Sequence, residues 1–97
     1  MLEALGHRNR RRILEVLRGG AKPVVEIARA LPVSRPAVSL HLRVLKNAGL
    51  VVDRVEGTRR FYSVNPKGLE TLRGFLESFW TDALARFAEA AATPPDD

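Results

Sequence analysis

Along most of the chain apolar residues recur every three or four positions, and in one stretch they alternate instead. The first period belongs to helices with one buried face, the second to half-buried strands. Leu2-Glu3-Ala4-Leu5 predicts a short helical turn interrupted at Gly6. Asn9 is placed to cap a helix over Arg10–Arg18, with Ile13, Leu14, Val16 and Leu17 as its core face and Gly19-Gly20 as its end. Pro23 suits the first turn of the next helix, whose inner positions are Val24, Ile27, Ala28 and Leu31, and Pro32 stops it.

Only Pro32-Val33 then separates that helix from Ser34, a strong N-cap, with Pro36 in the first turn. In the helix 34–48 the buried stripe is Val38, Leu42 and Leu45, with Ala37, Val44 and Ala48 at its margin, and Gly49 closes it. The period then shortens. LVVDRV (50–55) and RRFYSV (59–64), joined by Glu56-Gly57-Thr58, predict a β-hairpin. Asn65-Pro66 opens a last helix over 66–91, where Leu69, Leu72, Leu76, Phe79, Ala83 and Phe87 keep the helical spacing. Phe75, Trp80, Leu84 and Ala88 widen its apolar stripe. The closing AATPPDD is expected to fray, leaving one domain over 1–92 and a tail over 93–97.

The predicted fold class is therefore mainly α with some β (α+β). It is a helix-turn-helix followed by a hairpin, or winged helix, with about five helices and one β-hairpin wing. A chain of 97 residues has room for one such domain.

Charge adds a partner to this picture. The net charge is +5, but residues 1–65 hold 13 Lys or Arg against 5 Asp or Glu, while residues 66–97 hold 3 against 6. The first part thus carries +8 and the second −3. A basic surface confined to the helix-turn-helix and wing suits a polyanion, above all nucleic acid. The chain has no cysteine, which excludes a disulfide framework, a thiol nucleophile and Cys-based zinc sites. No apolar run is long enough to span a membrane and no cleavable leader is visible. The expected location is cytoplasmic.

In a helix-turn-helix the second helix enters the major groove with its N-terminal residues nearest the bases. Here those residues are Arg35, Pro36, Ser39 and Leu40, with Arg43 one turn on. Arginine can bond guanine O6 and N7 together, serine can donate or accept, and Leu40 and Pro36 can pack on thymine methyls. Ser34, His41, Arg54, Thr58, Arg59, Arg60 and Arg10 are the candidates for the phosphate backbone, which positions a protein without reading sequence. Arg10 has a structural alternative, tying elements together, and His41 has one as a packing residue. The apolar stripe of the last helix exceeds what one domain needs to bury, which favours pairing with a second copy. The expected dimer contacts are Leu2, Leu5, Leu76, Phe79, Trp80, Ala83, Leu84 and Phe87.

Four segments together resemble the ArsR family of winged-helix bacterial repressors: ALGHRNRRRILEVL, the VxxIAxxL pattern of Val24–Leu31, SRPAVSLHLRVLKNAGLV, and the wing EGTRRFYSV. The resemblance covers residues 4–65, with Ser34, Val38, Ser39, His41, Leu42, Leu45, Gly49 and Leu50 on the family's typical positions. It implies a homodimer joined through the first and last helices, bound to double-stranded DNA. The last helix resembles the branch without metal sites. The family's metal-sensing motifs put Cys on the helix before the recognition helix, where Val24 and Val25 stand here, or paired His on the last helix, where none occurs. No cofactor or metal is therefore expected, and the effector is left open. His7 departs from the acidic residue common at its position. Two other readings fit the same residues less well. A winged helix serving as a protein-interaction module does not need arginines on the outward face of 34–48. An enzyme lacks a nucleophile elbow, a metal cluster or a phosphate loop.

Overall fold

The computed structural model describes residues 1–92; the 93–97 tail lies outside them. The elements are α1 (Leu2–Leu5), α2 (Arg8–Leu17), β1 (Lys22–Pro23), α3 (Val24–Arg29), α4 (Arg35–Asn47), β2 (Val51–Glu56), β3 (Arg59–Val64) and α5 (Pro66–Ala92). Five helices thus surround a three-stranded antiparallel sheet in the order β1-β3-β2.

One core unites α2, α3, α4 and the base of the sheet. Ile13, Leu17, Ile27, Val38, Leu42, Leu45, Leu50 and Val51 fill it, with Ala4 and Leu31 at its edge. Of the helical stripes seen in the sequence, Ile13 and Leu17 of α2, Ile27 of α3 and Val38, Leu42 and Leu45 of α4 are buried, while Leu14, Val16, Val24 and Ala28 are only partly buried against them.

Several local boundaries differ from the sequence reading; the first wing strand runs Val51–Glu56 rather than 50–55, and the last helix ends at Ala92 rather than 91. His7, not Asn9, caps α2: His7 is extended, and its Nδ1 accepts the Asn9 backbone N–H at 3.1 Å. The imidazole nitrogen does the work of a capping oxygen and the helix starts two residues early. Pro23 lies before α3 rather than in its first turn, and with Lys22 it forms β1, pairing with Tyr62 and Phe61. Two residues are too few to show a strand period, and a proline at a sheet edge needs no ladder N–H. The turn between α3 and α4 is longer than Pro32-Val33, because α3 ends at Arg29 with Ala30 as its cap. Leu31 then lies in the turn, still buried. The helix read as 34–48 spans Arg35–Asn47, with Ser34 and Ala48 as its caps.

The hairpin register runs from Val51↔Val64 to Glu56↔Arg59, with Gly57 at φ +61 in its loop. At the end of α4 the chain turns through Gly49 at φ +80, a conformation that favours glycine. Leu50 N–H then bonds back to Leu45 O at 3.0 Å. Asn65 ties the start of α5 to this turn. Its backbone N–H donates to Leu50 O and its Nδ2 to Gly49 O, both at 2.9 Å, and its Oδ1 accepts Lys67 N–H at 3.2 Å. Gly68 packs on the Gly49 carbonyl so closely that a methyl group there would overlap it. Gly68 is the one buried residue of α5 among the described residues. Beyond it the helix projects with its apolar side exposed.

Candidate nucleic-acid interface

α4 presents two unlike sides. Val38, Leu42 and Leu45 are buried. Arg35, Pro36, Ser39, Leu40 and Arg43 all face solvent, Leu40 with 57% of its surface exposed. A leucine so exposed is unexplained by packing. Ser34 begins the helix: its Oγ accepts the Ala37 N–H at 3.3 Å, and Pro36 occupies the first turn. That cap leaves the first turn presenting Arg35 and Pro36 outward. Neither Arg35 nor Arg43 forms an ion pair among the described residues.

The wing stands beside this helix start. Pro23, Val24, Val25, Arg35, Thr58, Arg59 and Arg60 together line one groove. The tip of the hairpin and the N-terminus of α4 therefore share one basic surface. Within the hairpin, strand alternation divides the arginines. Arg54 and Arg59 share a face with Phe61, their guanidinium carbons 5.8 and 5.3 Å from its ring centre. Both are held over an aromatic face without losing their charge. Arg54 also lies 3.5 Å from Glu56 across an exposed pair.

Arg60 is on the opposite face with Asp53, to which it is ion-paired. Asp53 also accepts from Lys46 of α4 at 2.8 Å, and its side chain is only 8% exposed. Hydrogen bonds from Lys46 and then Arg60 hold its carboxyl below the usual carboxylate range, against the opposing effect of burial. This carboxylate clamps the wing to α4, a role the sequence reading missed. The signal was there: alternation places Asp53 on the same side of β2 as the buried Val51, and an acid next to the core needs cations.

The remaining backbone candidates have other contacts. Arg10 donates from Nε to Ala4 O at 2.6 Å and from a terminal nitrogen to Glu3 O at 3.4 Å. Arg11 donates to Leu5 O at 2.7 Å. Both satisfy carbonyls at the end of α1 and pin it to α2, so Arg10 has the tying role that the sequence left open for it. The His41 ring is half-buried, 4.5 Å from that of His7. Burial first, then the neighbouring His7 and Arg10, lowers its pKa from the usual histidine value.

The predicted dimer residues fall on α1 and along α5. Leu2, Leu76, Phe79, Trp80, Leu84 and Phe87 are exposed, Trp80 by 67% and Phe87 by 73%. Ala83 is exposed among them and Leu5 is partly buried against the core. Among the described residues there is no cluster of three His, Cys, Asp or Glu arranged for a metal, and no helix is long and apolar enough to cross a membrane.

A capped helix with an outward basic edge, clamped to a basic hairpin over one three-helix core, defines a winged helix-turn-helix DNA-binding protein. Comparison with known proteins places it more narrowly. The helix-turn-helix domain family matches residues 5–54. The HTH-type transcriptional regulator Rv2034 of Mycobacterium tuberculosis is 53% identical over 98% of this chain and 89% of its own. The transcriptional repressor SdpR of Bacillus subtilis is 32% identical over 81% of this chain and 88% of its own. The homodimeric winged helix-turn-helix DNA-binding domain Mb0332 of Mycobacterium bovis, described as a possible ArsR-family regulator, superposes with a TM-score of 0.66. It is 31% identical, covering 82% of this chain and 74% of that one. The chain belongs to the ArsR family of winged helix-turn-helix transcriptional regulators, and it is a regulator, not an enzyme.

Proposed function

We propose that the chain works as a homodimeric repressor that reads a palindromic operator and blocks transcription by occupying it. The observation that carries this reading is the exposed row Arg35, Pro36, Ser39, Leu40 and Arg43 on a helix whose other side is core. These side chains read base edges in the major groove, with Arg35 and Arg43 directed to guanine and Leu40 to thymine methyl groups. Arg54, Thr58 and Arg59 engage the phosphates, and Arg60 aligns the wing through Asp53 while adding its charge. Ser34 at the helix N-cap and His41, nearly two turns further on, border the backbone. The repressor role follows the name of the Bacillus relative. Such a regulator acts in the cytoplasm, where its DNA lies.

Two observations support the dimer: the exposed apolar side of α5, where Leu2 of α1 shares a groove with Leu72 and Phe75, and the homodimeric state of the structural neighbour from Mycobacterium bovis. An isologous pair would bury that side against itself and match the two-fold symmetry of a palindrome. The protein-interaction reading has no comparable support, since it gives no use to the unpaired arginines of α4.

Selection of bound duplexes from a random library, followed by titration of the best duplex and a scrambled one across a salt series, tests the proposal. An enriched palindrome with half-sites about one helical turn apart is the expected result. Steep salt dependence without an enriched sequence would replace it with general DNA coating.

A further inference from the structure

We propose that the contact of Gly49, Asn65 and Gly68 is a positioning joint that sets the separation of the two α4 helices, and so selects the half-site spacing. The inference rests on the dimer reading above. Asn65 and Gly68 begin α5, and Gly49 ends α4. One carbonyl, that of Gly49, receives the Asn65 Nδ2 bond at 2.9 Å and faces the bare Cα of Gly68. The helix that meets the bases and the helix that meets the second copy are thus joined at the Gly49–Leu50 turn, whose Leu50 carbonyl also accepts the Asn65 N–H at 2.9 Å.

Beyond Gly68 no described residue of α5 is buried. The dimer contact centred on Phe79 and Ala83 therefore lies out along a lever of about 20 Å, at about 1.5 Å per residue. A tilt of about 10° at the joint displaces that point by about 3.5 Å, close to one base-pair step of DNA. A side chain at Gly68 forces such a tilt, because its Cβ would overlap backbone that cannot swing aside. Gly68 occupies the first turn of α5, and the approach to Gly49 is what its absent side chain permits. Asn65 adds direction: its Nδ2 fixes α5 against α4 while its Oδ1 caps α5 through Lys67 N–H.

The test compares the full chain with Asn65→Asp and Gly68→Ala. Asparagine to aspartate keeps a capping oxygen and removes the donor to Gly49. Sedimentation velocity reports the oligomeric state, and anisotropy reports binding to the selected half-sites at their selected spacing and at one or two base pairs more or less. A single half-site duplex serves as the control. The unaltered chain is expected to lose at least about tenfold in affinity per base pair of altered spacing, a difference of about 1.4 kcal/mol. Both variants are expected to remain dimers and to bind the single half-site normally, with the spacing preference cut to within about threefold or moved to another spacing. Dimeric variants with the original spacing profile would overturn the joint and leave the dimer reading standing. So would an unaltered chain indifferent to spacing. An unaltered chain that binds as a monomer would overturn the dimer reading and the joint together. Should Gly68→Ala fail to fold, the profile of Asn65→Asp decides in either direction.

Discussion

Lys46, on the last turn of α4, donates to Asp53 on the first wing strand at 2.8 Å, and the same carboxylate holds Arg60 from the facing strand. The wing is therefore not a free hairpin. Its base is fixed to the helix beside it by a nearly buried acid between two cations.

Asp53→Asn should loosen that clamp. The variant is expected to lose about 1 kcal/mol of stability, a melting-temperature fall of about 4–8 °C. The pH dependence has a definite sign. The folded carboxyl titrates below its unfolded value, so its stabilisation is complete above the unfolded carboxylate pKa. It is lost as pH falls through the lower, folded one. Thermal melts from neutral to acid pH should show the native chain losing an increment that Asp53→Asn never had. Parallel acid arms for the two proteins would show that the pair contributes nothing.

Arg35 and Arg59 separate two kinds of DNA contact. Arg35→Ala is expected to cost about 1–3 kcal/mol on the selected operator, relax one base-pair preference and leave binding to random DNA nearly unchanged. Arg59→Ala should weaken every duplex alike and lower the slope of log affinity against log salt by about one. Equal losses on operator and random DNA for Arg35→Ala would remove it from base reading.

The sequence made the core legible because Val38, Leu42 and Leu45, like Ile13 and Leu17, repeat at helical spacing and bury that side. The outward row Arg35, Ser39 and Arg43 followed from the same register. Contacts between elements were less visible. Arg10 and Arg60 both carried a backbone-contact reading, with a tying role left open only for Arg10, yet one pins α1 by its carbonyls and the other meets Asp53. Charge counting does not distinguish a cation aimed at solvent from one satisfied by a neighbour distant in sequence. The His7 cap escaped because histidine has a weak capping preference and Asn9 a strong one. The Gly49–Gly68 approach escaped because nothing in either local pattern says what the missing side chain makes room for.

His41 offers a second pH signal, in a different range. Its pKa is lowered by burial, by His7 and by Arg10, so the folded chain takes up a proton less readily than the unfolded one. Stability from this group is complete above the unfolded histidine value of about 6.5 and falls as pH drops through the lower, folded value. Imidazole resonances followed by NMR should show His41 titrating below that of a free histidine. His41→Gln should flatten stability across the mildly acid range. A His41 resonance that titrates at the ordinary position would remove this dependence.

The exposed side of α5 makes the most direct prediction about assembly. Trp80 and Phe79 lie near the middle of its apolar row, where a dimer would bury them and where aromatic residues dominate binding energy. Trp80→Glu places a charge at that point, and burying an unpaired carboxylate is costly. The dimer dissociation constant is expected to rise by at least about thirtyfold, or 2 kcal/mol. The fold should persist, because Trp80 is 67% exposed in the single chain and takes no part in its core. Circular dichroism should therefore match the native chain while sedimentation shows monomers. Operator affinity should fall toward that of one half-site, since each monomer then brings one α4 helix to the DNA. A Trp80→Glu chain that remains dimeric at micromolar concentration would show that this side of α5 is not the contact between copies.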